Sequence, residues 1–301
     1  MSTLDDLNHR FGITGTLHFE EAGDNFIAAR VANPLGAATI ALQGAHVMTY
    51  QPRGQQPLIW LSEQARFAPG KSIRGGVPVC WPWFGPHATE SGFPGHGFAR
   101  TVPWQLLETR ALPDGRTQLV FEIIHNDVTR AQWLHPSRVR NVITVGQELE
   151  VELATVNTGA AVFELGQALH TYFHVGDIRS VTLHGLDGCD FIDKTDGGAR
   201  RKQQGPVVFN RETDRIYLGT HGYCEIRDPA MNRSIVVTAT GSRSTVVWNP
   251  WTEKAAKMGD FGAEGHLNMV CVETANAAED VVTLRPGEEH VLAAQYRLLP
   301  R

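Results

Sequence analysis

Residues Arg138–Val156 read RVRNVITVGQELEVELATV, and this stretch decides the fold class. In its second half Glu148, Glu150 and Glu152 alternate with Leu149, Val151 and Leu153. A period of two puts the carboxylates on a wet face and the aliphatics on a buried one, the pattern of an antiparallel strand. Gly146-Gln147 separates it from Arg138–Val145, so the two arms are expected to pair as a hairpin. A second hairpin is expected where Ser234–Thr240 turns at Gly241-Ser242 into Arg243–Trp248. Further strands are expected at Phe26–Val31, Ala38–Leu42, Gln118–Ile124, Val181–Leu183, Met269–Glu273 and His290–Leu298. The turns Pro113-Asp114-Gly115 and Pro286-Gly287 punctuate them. Short helical turns are read only at Val128–Trp133 and Glu253–Lys257.

Strands spread evenly over 301 residues, with no repeat, low-complexity tract or linker, predict an all-β chain. The expected architecture is one large antiparallel β-sandwich, a single domain over residues 1–301. An apolar fraction of 42% and a charged fraction of 20% belong to a globular protein that needs no disulfide or structural metal to close its core. The net charge of −5 supplies no basic face for nucleic acid, so any anionic ligand must be met by a local cluster of cations. No apolar run approaches the roughly 18 residues of a membrane helix. Cys80, Cys189, Cys224 and Cys271 form no C-x-x-C pair and fit reduced, mostly buried thiols. The charged start, MSTLDDLNHRFG, lacks the apolar run of a signal peptide, and a cytoplasmic monomer is expected.

Four stretches could carry chemistry. Gly166–Asp177, GQALHTYFHVGD, sets His170 among Tyr172, Phe173 and Val175. Such an imidazole is either a core histidine held by a backbone carbonyl or a group that exchanges protons near neutral pH. Extended backbone would put His170, Tyr172 and His174 on one face. Lys71–His87, KSIRGGVPVCWPWFGPH, places Arg74 before Gly75-Gly76, whose missing Cβ atoms would let backbone approach a ligand closely. Pro78, Pro82 and Pro86 stiffen it. Trp81, Trp83 and Phe84 offer flat faces that either stack on a sugar ring or fill a core. Gly95–Arg100, GHGFAR, holds His96 between glycines. Its Arg100 offers, with Arg74, either a two-arginine fork for phosphate or carboxylate, or two surface ion pairs. In Val270–Thr274, VCVET, Cys271 and Glu273 share a face. A glutamate there is either an edge-of-strand solvent contact or a partly desolvated base. His170 and His174 have a four-residue spacing, but without H-E-x-x-H or His-x-His no metal is expected.

Together IRGGVPVCWPWFG, GHGFAR, ALHTYF with VGDI, TDRIY at Thr213–Tyr217, VWNP at Val247–Pro250 and VCVET resemble the hexose-6-phosphate mutarotases. These are glucose-6-phosphate 1-epimerases, relatives of the aldose 1-epimerases, and the match runs in order from about Gly44 onward. The resemblance implies a galactose-mutarotase-like supersandwich and a soluble enzyme without a cofactor. Its substrate would be a hexose 6-phosphate whose α and β anomers it interconverts. His170 is then the general acid and Glu273 the general base, His96 and Asp214 orient the sugar, and Arg74 and Arg100 select the phosphate. No role passes to His174, and whether Lys254 or Lys257 touches phosphate stays open. A carboxylate such as Asp214 is expected to hold His170 as imidazolium against desolvation. The rival readings are an aldose 1-epimerase of free sugars, a non-catalytic sugar-phosphate binding module, and a glycoside hydrolase using Glu273 with Asp214.

Overall fold

The computed structural model describes residues 3–23, 25–262 and 264–300. With 48% strand and 13% helix it is an all-β protein. The expected hairpin forms: Ser137–Val145 pairs antiparallel with Leu149–Asn157 from Val145↔Leu149 to Ser137↔Asn157. Leu149, Val151 and Leu153 are buried while the intervening residues stay half exposed, as the alternation requires.

This hairpin lies inside a nine-stranded antiparallel sheet. Its middle strand, Glu289–Pro300, is zipped between Leu149–Asn157 and Arg233–Thr240. An eight-stranded sheet runs through Asp190–Asp193, Thr213–Leu218, Ser244–Asn249, Met269–Asn276 and Gln167–Leu169 to Val79–Cys80. A four-stranded meander over Leu17–Gly23, Phe26–Asn33, Gly36–Ala41 and His46–Pro52 completes the frame. With a two-stranded pair, Phe163–Leu165 against Val282–Leu284, there are four sheets among the described residues, and apolar side chains from all of them, among them Ile40, Leu149, Leu165 and Val247, merge in one buried cluster. Among the described residues no helix is long and apolar enough to cross a membrane.

The second expected hairpin does not form. Its arms are strands, but Arg233–Thr240 belongs to the nine-stranded sheet and Ser244–Asn249 to the eight-stranded one. Gly241 is pressed onto the adjacent strand of the sheet it leaves, where a Cβ would sit 1.9 Å from the Val291 carbonyl oxygen. Ser242 Oγ then donates to the carbonyls of Ser244 and Ala275, which are 2.7 and 2.6 Å away. The turn therefore changes sheets instead of doubling back. A helix not read from the sequence, Leu4–Phe11, starts at Thr3, whose hydroxyl accepts the Asp6 N–H.

Candidate active site

The eight-stranded sheet writes the site as rows of side chains. Leu169 pairs with Thr274 and Tyr172 with Cys271, so the register on both sides carries His170 opposite Glu273. Between the two short strands the backbone leaves the ladder, and the His170 N–H donates instead to the Pro78 carbonyl at 3.0 Å. Further across, Glu273 pairs with Val246, Cys271 with Trp248, and Trp248 with Asp214. Paired residues of neighbouring strands share a face. One face thus presents the row Tyr172–Cys271–Trp248–Asp214 beside the row His170–Glu273–Val246.

These rows floor a pocket of about 300 Å³ that takes in Arg74, His96, Arg100, His170, Asp214 and Glu273, all six residues named from the sequence. His170 Nε2 lies 3.3 Å from Glu273 Oε1, with the Glu273 side chain 1% exposed. The imidazole stacks on Tyr172 at 5.0 Å and 14° and meets Trp248 edge-on. The second carboxylate oxygen of Glu273 has no hydrogen-bond partner among the described residues.

The two loops named for binding are fastened to each other. Phe98 N–H donates to the Trp81 carbonyl at 3.0 Å, and His96 N–H donates to the Gly85 carbonyl at 2.7 Å. Gly97 packs so closely that a Cβ would lie 1.9 Å from Trp81 O. His96 Nδ1 accepts the Gly85 N–H, which leaves the hydrogen of the neutral ring on Nε2. Burial, helped by Arg100, Lys194 and Arg74, pushes its pKa down to about 3. Arg74 donates to Asp260 and to the Tyr172 hydroxyl, each at 3.2 Å. Beneath it, His46 bonds the Gly75 carbonyl through Nε2 at 2.9 Å, and burial holds that ring near a pKa of about 4, uncharged.

Some expectations change. Gly75 and Gly76 face protein, since Cβ atoms there would strike Trp60 O at 2.6 Å and His46 Nε2 at 2.2 Å. Trp81 is wholly buried in the core and donates to Thr155 Oγ1. Trp83 packs against His87 and Phe93. The aromatic walls of the pocket are Phe84, Tyr172 and Trp248. His174 lines a different depression, beside Pro57 and Trp60. Lys254 does reach the pocket, held by Glu212 at 2.7 Å with Asp214 3.8 Å away, whereas Lys257 is not among its lining residues. Lys194 lines it too, although no motif singled that residue out.

The expected imidazolium is also corrected. Burial is the largest effect on His170 and lowers its pKa well below the usual histidine value, with His96 and Arg100 adding to the shift. Burial likewise raises Glu273 well above the carboxylate range, and Asp214 raises it further. Desolvation therefore outweighs charge attraction for both groups, pushing His170 toward the neutral imidazole and Glu273 toward the protonated carboxyl. Asp214 itself is raised by burial and pulled back by Lys194 and Lys254.

His170, Cys271 and Glu273 place ligand-type atoms within 4.8 Å of one another. Burial and Glu273 keep the Cys271 thiol protonated, a poor donor set for a metal.

The profile of the Aldose 1-epimerase family matches residues 29–297. An Escherichia coli protein provisionally named glucose-6-phosphate 1-epimerase is 40% identical over 272 residues, 90% of each chain. A Cenchrus ciliaris protein with the same provisional name is 35% identical over 263 residues, 84% of this chain and 78% of its own. The crystal structure of YeaD, provisionally assigned as a mutarotase from Salmonella typhimurium, superposes with a TM-score of 0.90 at 35% identity, covering 97% of this chain and 96% of that one. A galactose mutarotase-like protein of Clostridium acetobutylicum shares the fold, with a TM-score of 0.71 at 14% identity over 95% of this chain and 98% of its own.

Proposed function

Since this chain belongs to the aldose 1-epimerase family, we propose that it interconverts the α and β anomers of a hexose 6-phosphate, with glucose 6-phosphate the first candidate. The observation that carries this reading is the 3.3 Å contact between His170 Nε2 and Glu273 Oε1 in a pocket also lined by Arg74 and Arg100. About 300 Å³ accommodates one phosphorylated pyranose.

Opening the ring of a hemiacetal requires the O1 hydroxyl to lose a proton and the ring oxygen to gain one. Glu273 takes the first and His170 gives the second. The C1–C2 bond of the aldehyde then rotates and the transfers reverse on the other face. Shifting one proton from carboxyl to imidazole, across their contact, converts the neutral pair into carboxylate and imidazolium. Ring opening returns the pair to its neutral form. Burial, which pushes both groups toward their neutral forms, therefore favours the protonation pattern that ring opening produces. Each placed proton transfer contributes roughly 10²–10⁴-fold. His96 Nε2–H donates to the sugar while Asp214 accepts from its hydroxyls, and Arg74 and Arg100 hold the phosphate. Neither a cofactor nor a metal enters these steps.

Saturation-transfer NMR on equilibrated glucose 6-phosphate reads anomer exchange directly. His170→Ala and Glu273→Gln should each slow exchange by at least about 10²-fold with the fold intact. Exchange at the wild-type rate in either variant removes the acid–base pair from the mechanism. A faster rate on glucose than on glucose 6-phosphate returns the assignment to a free-sugar epimerase.

A further inference from the structure

The pocket holds four cations, and their partners divide them. Arg74 is engaged by Asp260, and Lys254 by Glu212 with Asp214 nearby. Each therefore brings a carboxylate that offsets its charge. Arg100 donates only to a backbone carbonyl, that of Gly95 at 3.0 Å. Among the described residues, no carboxylate stands within ion-pair distance of Lys194, which lines the same pocket. Arg100 and Lys194 are thus the two pocket cations that no carboxylate among the described residues meets at ion-pair distance, although Lys194 lies near enough to Asp214 to act on its pKa. A phosphate monoester carries about −1.5 to −2 near neutral pH.

The end of a strand fixes where Lys194 stands. Asp190 pairs with Leu218 and Asp193 with Arg215, and there the ladder stops, because Lys194–Asp196 turns out of the sheet as a 3₁₀ helix. That turn brings Lys194 to the pocket wall. The backbone there is firmly held. Asp193, itself buried, accepts the Thr195 N–H at 3.0 Å and its hydroxyl at 2.6 Å, and Gly197 closes the turn with φ 59°. The backbone at Lys194 is pinned while the residue itself is exposed. A cation so placed loses no existing ion pair on meeting an anion.

We propose that Lys194 is a specificity-determining residue that grips the substrate's phosphate together with Arg100. This rests on the reading of the substrate as a hexose 6-phosphate. It gives Arg74 a mixed duty, because its guanidinium already positions Tyr172 beneath the His170 ring.

The test compares wild type, Lys194→Gln and Lys194→Arg by anomer exchange on glucose 6-phosphate and on glucose, with inorganic phosphate as inhibitor. Losing one charge-assisted contact should raise KM for glucose 6-phosphate, and Ki for inorganic phosphate, by about 10–100-fold, with kcat changed far less. The loss on glucose should be at least about tenfold smaller, and Lys194→Arg should restore most of the difference. A kcat loss of equal size on both sugars would overturn the proposal, because Lys194 would then act by steadying the Glu273 carboxylate. Unchanged KM and Ki would overturn it as well. Should wild type show no preference for the phosphosugar, the substrate reading itself fails, and the role of Lys194 with it.

Discussion

Arg74 answers to three groups at once, since its half-buried guanidinium meets Asp260, Tyr172 and, in the proposed complex, phosphate. Arg74→Ala should cut kcat/KM on glucose 6-phosphate by about 10–100-fold. It should cost about 1 kcal/mol or less in stability, because the ion pair it breaks is partly solvated. Exchange measurements beside a urea melt check both, and an equal loss on glucose would confine Arg74 to holding Tyr172. At this scale the sequence was informative where chemistry sits in a motif: His170, Glu273, His96, Arg74, Arg100 and Asp214 all reach the pocket. It was silent on Lys194, a lysine in KTD that a 3₁₀ turn after Asp190–Asp193 brings to the pocket. It also misjudged the charge state of His170. Burial that depends on Trp248 and Pro78 arriving from two other segments is not written in H-T-Y-F.

Elements fix the site through two clamps. The first is Gly97, at φ 69° and pressed on the Trp81 carbonyl. Gly97→Ala combines left-handed strain with a backbone clash and should cost about 2–4 kcal/mol. A shift in urea midpoint measures this, and a neutral outcome would show the GHGFAR loop free to move away from WPWF. The second is His46, neutral beneath Gly75. Its folded pKa of about 4 lies below the usual 6.5, so the unfolded chain takes up the proton first. Stability from this ring is complete above pH 6.5 and drains away as pH falls toward 4, by about 3 kcal/mol in total. Urea melts at several pH values should show that slope, and His46→Gln should flatten it by a similar amount. Strand existence was legible from alternation, as in Leu149–Asn157. Strand partners were not, because Gly241-Ser242 reads as a hairpin turn in sequence. What ties the chain to the other sheet is the hydrogen bond from Ser242 to the Ala275 carbonyl, remote in sequence.

For the whole molecule, we propose that the four sheets form a single folding unit, since apolar side chains from each share one buried cluster from Leu7 to Tyr296. Urea unfolding followed by tryptophan fluorescence and by far-ultraviolet circular dichroism should then give coincident transitions. Two separated transitions would divide the sheets into independent units. Sandwich class was legible because every sheet draws on strands with a period of two. Sheet membership was not, being decided by contacts between segments as distant as Leu149–Asn157 and Glu289–Pro300.

Glu289–Pro300 comes later in sequence than every other strand of its sheet, yet lies at the centre of it. On a ribosome, the two flanks emerge first and wait with unpaired edges turned toward an empty slot, a state that invites sticking to other nascent chains. A premature stop upstream of Glu289 would leave that gap permanently open. Such a fragment should be handed to chaperones or proteases, so that loss of a few codons there silences the protein as thoroughly as loss of Glu273.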